Sequence, residues 1–326
     1  MTDSPVTRRA RRLAEQSRAR AAASVPATVA IDIRAFRDGG ERVSRPVGAA
    51  VAPMTATAGR PHVIGILNVT PDSFSDGGEH LDRDRAVEHA RSLIAAGADM
   101  VDVGGESTRP GAHRVPLAEE QRRVLPVIRD LVADRIAVSV DTMNAATAER
   151  AVEAGAVLVN DVSGGLADAD MARVVMSTGA MFVVMHWRGH SDRMNRNAVY
   201  TNPVEEVRRE VERRVAELIV LGVREDRVII DPGLGFAKDA AQNWEILAGY
   251  ERFASLGLPV LVAASRKRFL AGVGSPADAP ATERDAASAA ISLLAAERGA
   301  WGVRVHDPAP TRVVLDVWDA WRAARR

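Results

Sequence analysis

The sequence predicts a (β/α)8 TIM barrel of the α/β class, preceded by an N-terminal extension. From residue 62 onward, short apolar segments alternate eight times with longer segments of helical pattern. Eight strand–helix units is the number found in such a barrel, whereas an open doubly wound sheet usually has fewer strands. Most helical segments also end at a glycine, which lets the chain turn back toward the next strand.

The predicted strands are short and mostly apolar, as in a parallel sheet that is covered on both faces. They are Val63–Leu67, Met100–Val103, Ile136–Val140, Val157–Asn160, Met181–Met185, Val228–Asp231, Val260–Ala264 and Val303–His306. The predicted helices are Arg83–Ala96, Leu117–Ala133, Asn144–Ala154, Asp170–Ser177, Pro203–Leu221, Gln242–Ser255, Glu283–Arg298 and Thr311–Ala324. The barrel is therefore expected to occupy residues 61–326.

Residues 1–60 form the extension, which is expected to be partly disordered. Its first 26 residues carry six arginines and two acidic residues. This pattern favours a frayed, solvated helix over the alternatives of a transit peptide or an anion-binding arm. Residues 27–47 have the alternation and the Gly-containing turn of a β-hairpin.

The composition excludes several classes of function. Basic and acidic residues both number 43, so overall charge gives no case for binding nucleic acid or a membrane surface. The absence of cysteine excludes disulfides and thiolate chemistry and fits a cytoplasmic protein. Only Lys238 and Lys267 are lysines among the 43 basic residues. Because arginine is the usual cation of this chain, a lysine at a special site suggests a chemical reason.

Functional groups in such a barrel lie where the strands end and the following loops begin. The residues at these positions are Asn68, Asp102, Asp141, Asn160, Asp161, His186, Asp231, Ser265, Arg266, Lys267, Arg304, His306 and Asp307. A carboxylate such as Asp102 or Asp141 could instead order a loop or cap the next helix. Polar groups at all eight strand ends are harder to explain in that way, so they predict a binding site.

The residue types at these strand ends indicate the kind of substrate. Carboxylates, amides and one lysine suit a flat heterocycle with several N–H and C=O groups, because each buried donor needs an acceptor. Arg304 and His306 suit an anion such as phosphate. The sequence has no P-loop, dinucleotide fingerprint or zinc-ligand spacing. A Mg²⁺ ion held by one amide oxygen and by substrate phosphates is compatible with this set.

Two loops after the first and second strands, residues 68–82 and 104–116, exceed the usual length of such connections. Both contain glycines, and both are candidates for lids that exclude water from the site.

Seven motifs in order resemble those of the bacterial dihydropteroate synthases, and their sequences look most like those of the actinobacterial branch. They are Gly65–Gly78 (GILNVTPDSFSDGG), Asp102–Gly111 (DVGGESTRPG), Ser139–Thr142 (SVDT), Asn160–Asp161, Asp231–Phe236 (DPGLGF), Ser265–Lys267 (SRK) and Arg304–Asp307 (RVHD). The resemblance covers residues 62–326. It implies condensation of 6-hydroxymethyl-7,8-dihydropterin pyrophosphate with p-aminobenzoate, giving 7,8-dihydropteroate and pyrophosphate. It also implies that the protein is a target of sulfonamides and that it forms a homodimer.

The resemblance further implies roles for single residues. Asp141, Asn160, Asp231 and Lys267 would hold the pterin, with Met185 beside them. Arg304 and His306 would hold the pyrophosphate, and Asn68 would bind Mg²⁺. The p-aminobenzoate side would comprise Thr108, Arg109 and Ser265, with apolar walls from Pro71, Phe74, Pro110 and Phe236. Among these, Asp141, Lys267, Arg304 and His306 are the predicted catalytic residues.

Two alternatives remain open from sequence. A pterin-dependent methyltransferase would share the barrel but lack the loop Ser107–Gly111. A catalytically silent, pterin-binding paralogue would keep the fold without turnover. Nothing in residues 1–60 or in the segment 187–202 matches the family, and the roles of these parts stay open.

Overall fold

The computed structural model describes residues 4–24, 59–70, 78–106, 114–190 and 197–324. Its centre is one sheet of eight parallel strands, each within a few residues of its predicted bounds. They are β1 His62–Asn68, β2 Met100–Gly104, β3 Val138–Asp141, β4 Leu158–Asp161, β5 Met181–Met185, β6 Val228–Asp231, β7 Leu261–Val262 and β8 Gly302–Val305.

The sheet closes on itself. Hydrogen-bonded neighbours run β6-β5-β4-β3-β2-β1-β8-β7, and a parallel bridge between Ile230 and Val260 joins β6 to the start of β7. The predicted (β/α)8 barrel is therefore confirmed. Closure puts β8 beside β1, so the last motif of the chain lies next to the first one.

Alternate residues of each strand point into the barrel, because side chains along a strand alternate between its faces. The lower interior is filled by an apolar cluster of Ile64, Met100, Leu158, Met181, Val183, Ile229, Leu261 and Trp301. The residues of opposite parity pack outward under the helices and form the larger core. This alternation decides which residues at the strand ends face the barrel mouth.

Ten α-helices are present in the described part of the chain. They are α1 Pro5–Ser24, α2 Gly78–Ala95, α3 Leu117–Ala133, α4 Ala145–Glu153, α5 Met171–Thr178, α6 Pro203–Val220, α7 Ala240–Ala248, α8 Tyr250–Ala254, α9 Asp285–Glu297 and α10 Pro308–Ala323. The single helix predicted for residues 242–255 is two helices that meet at Gly249. A Cβ there would lie 2.6 Å from a methyl group of Val204 on α6, so close packing against α6 requires glycine.

The N-terminal helix α1 is docked rather than solvated, so that part of the sequence prediction was wrong. Val6 and Ala10 are fully or almost fully buried, and α1 packs along α6. Ser4 and Thr7 donate hydrogen bonds to the carboxylate of Glu225. The arginine-rich composition concealed an apolar contact with a spacing of four residues, one helical turn. The hairpin predicted for residues 27–47 lies outside the described residues.

Among the described residues, no helix combines the length and the apolar character needed to cross a membrane.

Candidate active site at the carboxyl ends of the strands

The inward-facing residues at the strand ends form one polar layer above the apolar interior. Strand parity places Asn68, Asp102, Asp141, Asn160, Met185, Asp231 and Arg304 in this layer. Asp141 lies beside Asn160 in the register of β3 and β4, and Met185 lies beside Asp231 in that of β5 and β6. Most of the predicted binding residues that the structure describes therefore meet at one end of the barrel.

Arg304 connects three of these strands through its guanidinium. Its Nε donates to Oδ2 of Asp102 at 2.6 Å, and one Nη donates to Oδ2 of Asp141 at 2.7 Å. Oδ2 of Asp102 also accepts from the side-chain amide of Asn160 at 2.8 Å. Both carboxylates are buried, so the cation offsets the cost of holding two negative charges out of water. The earlier alternative that Asp102 or Asp141 caps a helix does not hold.

The electrostatics of this cluster raise the pKa of Asp141 to about 7. Burial raises the pKa of Asp141, the Arg304 guanidinium lowers it, and the negative charge of Asp102 raises it again. The other oxygen of Asp102, Oδ1, is buried and has no hydrogen-bond partner among the described residues. An unsatisfied buried acceptor at a barrel mouth is a position that a ligand N–H group would fill.

Asp231 and Lys267 form the opposite wall of the layer. Asp231 accepts a hydrogen bond from the backbone N–H of Gly233 at 2.7 Å, and burial raises its pKa. Burial also lowers the pKa of Lys267 to about 8, against the raising effect of Asp231. The ammonium of Lys267 lies 4.1 Å from the ring centroid of Phe236, a cation–π distance. An acceptor, a cation and an aromatic face thus converge there.

Ser265 and His306 form a pair between the seventh and eighth strand ends. The hydroxyl of Ser265 accepts from the backbone N–H of His306 at 3.1 Å and lies 3.0 Å from His306 Nδ1. This double contact fixes the orientation of the imidazole relative to Arg304, two residues earlier on the same face of the chain.

Asn68 has the properties expected of a weak Mg²⁺ ligand. It ends β1 at a half-buried position, and its side chain makes no hydrogen bond to any described residue. Across the described ranges, no group of three or more His, Cys, Asp or Glu side chains could enclose a metal. An ion held mainly by substrate phosphates and water would need only one such amide oxygen from the protein.

The predicted site residues Pro71, Phe74, Thr108, Arg109 and Pro110 lie outside the described residues. The same holds for residues 71–77 of the first proposed lid loop and 107–113 of the second.

Four residues at the strand ends do not belong to the polar layer, and one of them, Arg266, donates two hydrogen bonds to Asp285 at the start of α9. Asp161 and His186 follow an inward-facing residue and therefore point outward, by the period of two. Asp161 accepts from the backbone N–H groups of Ser163 and Gly165 and orders the loop after β4. Asp307 caps α10 through the backbone N–H of Ala309.

Sequence reasoning missed Glu120, a buried carboxylate on α3. It accepts from the hydroxyls of Thr142 and Thr147 and from the amide of Asn144, at 2.6–2.7 Å. It thereby holds the loop that directly follows Asp141. A signal was present, because Glu120 stands four residues before Val124 on the apolar face of α3.

A closed α/β barrel with a carboxylate-, amide- and lysine-lined mouth is the architecture of an enzyme that binds a flat polar heterocycle there. The family model of the pterin binding enzymes matches residues 64–306. A dihydropteroate synthase of Mycobacterium leprae is 48% identical over 263 residues, covering 79% of this chain and 93% of the relative.

Solved structures show the same similarity. Xanthomonas albilineans dihydropteroate synthase with 4-aminobenzoic acid is 43% identical with a TM-score of 0.76, over 81% of this chain and 94% of that one. Yersinia pestis dihydropteroate synthase in complex with a sulfonamide drug is 37% identical with a TM-score of 0.74, over 81% and 95%. The chain belongs to the pterin binding enzymes and, among them, to the dihydropteroate synthases.

Proposed function

We propose that the protein condenses 6-hydroxymethyl-7,8-dihydropterin pyrophosphate with p-aminobenzoate, releasing 7,8-dihydropteroate and pyrophosphate in folate biosynthesis. The observation that carries this proposal is the polar layer at the barrel mouth, in a chain that belongs to the dihydropteroate synthases. In the layer, Asp102, Asp141, Asn160, Asp231 and Lys267 supply acceptors and donors at one end of the barrel.

The pterin ring is the partner that these groups would recognise. Its N–H donors would meet Asp231, Asn160 and the unpaired Oδ1 of Asp102, and Lys267 would donate to the ring carbonyl. A compact ammonium serves a single carbonyl in a tight site better than a planar guanidinium fork. Met185 would supply an apolar surface beside the ring.

The reaction exchanges one bond for another at the pterin methylene carbon. The C–O bond to pyrophosphate breaks with both electrons leaving on oxygen, the arylamine nitrogen forms the new C–N bond, and its proton passes to solvent. Asp141 would stabilise positive charge that develops on the methylene. Arg304 and His306 would meet the charge of the leaving group, an electrostatic contribution of the kind that usually dominates. An arylamine is nucleophilic when neutral, so no general base is assigned.

We assign Asn68 as the protein ligand of a catalytic Mg²⁺. When bound, the ion would neutralise pyrophosphate oxygens as a Lewis acid. The test is a titration of Mg²⁺ in the presence of the pterin pyrophosphate, followed by ligand fluorescence. Asn68→Ala should weaken the Mg²⁺ dependence of pterin binding, and an unchanged dependence would remove Asn68 from this role.

The second substrate would lie under the two long loops. Thr108, Arg109 and Ser265 would contact p-aminobenzoate, and Pro71, Phe74, Pro110 and Phe236 would form apolar walls around its ring. The complex of the Xanthomonas relative with 4-aminobenzoic acid supports this proposal. The complex of the Yersinia relative with a sulfonamide drug supports the expectation that sulfonamides compete with p-aminobenzoate.

We further propose a cytoplasmic homodimer that pairs through α9 and α10. Support comes from large apolar side chains that are exposed on these adjacent helices: Leu294, Val313, Val317 and Trp321. Exposed apolar patches on a folded protein often mark interfaces. Sedimentation velocity tests the proposal, because Val317→Arg should convert a dimer to a monomer, whereas a monomeric native protein would refute it.

A steady-state assay separates the synthase from both alternatives. The synthase should release pyrophosphate only when the pterin pyrophosphate and p-aminobenzoate are both present. Pterin binding without release would instead identify the silent paralogue. A methyltransferase would bind the pterin and be indifferent to p-aminobenzoate.

A further inference from the structure

Lys238, the lysine not yet assigned a role, is buried at the end of the loop that follows β6. Its ammonium lies 3.0 Å from each of three acceptors, namely the carbonyls of Gly233 and Phe236 and Nδ1 of His186. Burial lowers the pKa of Lys238 to about 7, against the raising effect of Asp231, and the three acceptors match the three N–H donors of its protonated form. Lys238 therefore contacts the first residue of its own six-residue loop, residues 233–238, and joins that loop to the end of β5.

The contact with His186 fixes the imidazole as a neutral tautomer. Because Nδ1 accepts from the ammonium, the ring proton lies on Nε2, which donates to Glu210 at 3.0 Å. Burial and the charge of Lys238 lower the pKa of His186 to about 3, consistent with a neutral ring. Burial alone would raise the pKa of Glu210, but hydrogen bonds from His186 and Arg188 lower it to about 2.

The same series of contacts continues into the segment 187–202, to which the sequence assigned no role. Arg188 donates to Glu210, and its guanidinium carbon lies 3.8 Å from the ring centroid of Tyr200. The hydroxyl of Tyr200 donates to the carbonyl of Ala237 at 2.9 Å. This series of contacts therefore begins and ends in the loop 233–238 and holds that loop from both sides.

This loop is the support of Lys267. A Cβ at Gly235 would lie 2.8 Å from Cδ of Lys267, so the lysine stem runs directly over the glycine backbone. The ammonium of Lys267 then lies over the ring of Phe236, the next residue. Gly233 has a φ of +70°, and a Cβ there would come within 2.5 Å of the His186 carbonyl, so the path of the loop leaves little freedom.

We propose that Lys238 is a positioning residue for pterin recognition, acting through the loop 233–238 on Lys267 and Phe236 without contacting the substrate. The inference rests on the proposed function, because it assumes that Lys267 faces the pterin. A compact ammonium can satisfy three convergent acceptors, whereas a planar guanidinium cannot. This requirement accounts for a lysine in a chain whose basic residues, apart from Lys267, are otherwise arginines.

The absence of cysteine allows a test that changes one atom. The full-length Lys238→Cys variant carries a single thiol, which is alkylated in denaturant with either 2-bromoethylamine or 1-bromopropane, and the protein is then refolded. The two thioether side chains have equal length, and only the first ends in an ammonium. Binding of 6-hydroxymethyl-7,8-dihydropterin pyrophosphate is measured by fluorescence on folded protein, together with the KM for p-aminobenzoate and the thermal midpoint.

The proposal predicts that the S-propyl protein binds the pterin about tenfold more weakly than the S-aminoethyl protein, the scale of one lost charged hydrogen bond. The KM for p-aminobenzoate should change by a smaller factor than the pterin affinity, since Lys267 lies on the pterin side and only Phe236 of this loop belongs to the p-aminobenzoate walls. In a Lys267→Met background the tenfold difference should shrink, because both changes act on the same contact.

Two results would overturn the proposal. One is an S-propyl protein with a lowered thermal midpoint but unchanged pterin affinity, which is the outcome of a purely structural role. The other is an undiminished difference in the Lys267→Met background. Failure of the proposed function looks different, since the native protein would then bind the pterin without releasing pyrophosphate to p-aminobenzoate, or would not bind the pterin at all. Only in the second case would the inference fail with it.

Discussion

Replacing Arg304 with methionine should destabilise the protein in a pH-dependent manner. The substitution keeps the side chain's apolar stem but removes the cation that pairs with Asp102 and Asp141 at 2.6 and 2.7 Å. Breaking a buried ion pair by removing one partner costs about 3–5 kcal/mol. The side chain of Arg304 is 17% exposed, so we expect the lower end, about 3 kcal/mol at pH 8.

The pH dependence follows from Asp141. Without Arg304, the folded-state pKa of Asp141 rises further above its unfolded value, because a lowering influence is lost and burial remains. A carboxyl whose pKa is higher in the folded than in the unfolded state destabilises the fold at pH values above the unfolded pKa. This cost in free energy grows with pH until the pH passes the folded pKa. At pH 5 Asp141 is protonated in the folded variant, so the loss should be smaller by about 1.4 kcal/mol per unit of additional shift.

Urea unfolding at pH 5 and pH 8, followed by circular dichroism, measures both quantities. The matched control is Arg224→Met, which breaks a pair of similar geometry with Asp226, 2.9 Å between Nε and Oδ1, on the exposed surface. The control should leave the urea midpoint essentially unchanged at either pH. The reasoning is refuted if Arg304→Met costs no more than the control, or if its cost is equal at the two pH values.

Three further predictions concern binding, acid stability and the support of the site. Lys267→Ala should weaken pterin binding by tens of fold, the scale of a charged hydrogen bond. Arg109→Ala should mainly raise the KM for p-aminobenzoate. Loss of pterin binding in Arg109→Ala would contradict the assignment of the second loop to p-aminobenzoate. Acidification from pH 6.5 should destabilise the fold, because His186 stays neutral in the folded state down to about pH 3 but gains a proton when unfolded. His186→Asn should therefore show a shallower loss of urea midpoint between pH 6.5 and 4.5, and an identical slope would argue against this origin. Glu120→Ala leaves three buried or half-buried donors without their acceptor, so unfolding free energy should fall by at least about 2 kcal/mol, and a neutral result would show that water replaces the carboxylate.

Much of the fold follows from local sequence pattern. The eight strands and their order along the chain were predictable, because apolar strand segments, helical periodicity and glycine stops are all short-range signals. The break at Gly249 and the docking of α1 were not, since both depend on the surface of α6. The bounds of α3 were predicted without error, whereas β3, β4, β7 and β8 are each shorter or shifted by a few residues.

The sequence by itself determined which residue types stand at the strand ends and which family of enzymes they resemble. Only the tertiary structure decided which of them face the mouth. Asp161 and His186 are outside the polar layer because one residue of register reverses the side chain's face. Asp102 and Arg304, 202 positions apart, share an ion pair because barrel closure places β8 beside β1. Lys238 and His186 meet for the same kind of reason, since neighbouring strand ends bring their loops together. Local pattern fixes the alternation of each strand, but pairing across the barrel depends on the closed sheet as a whole.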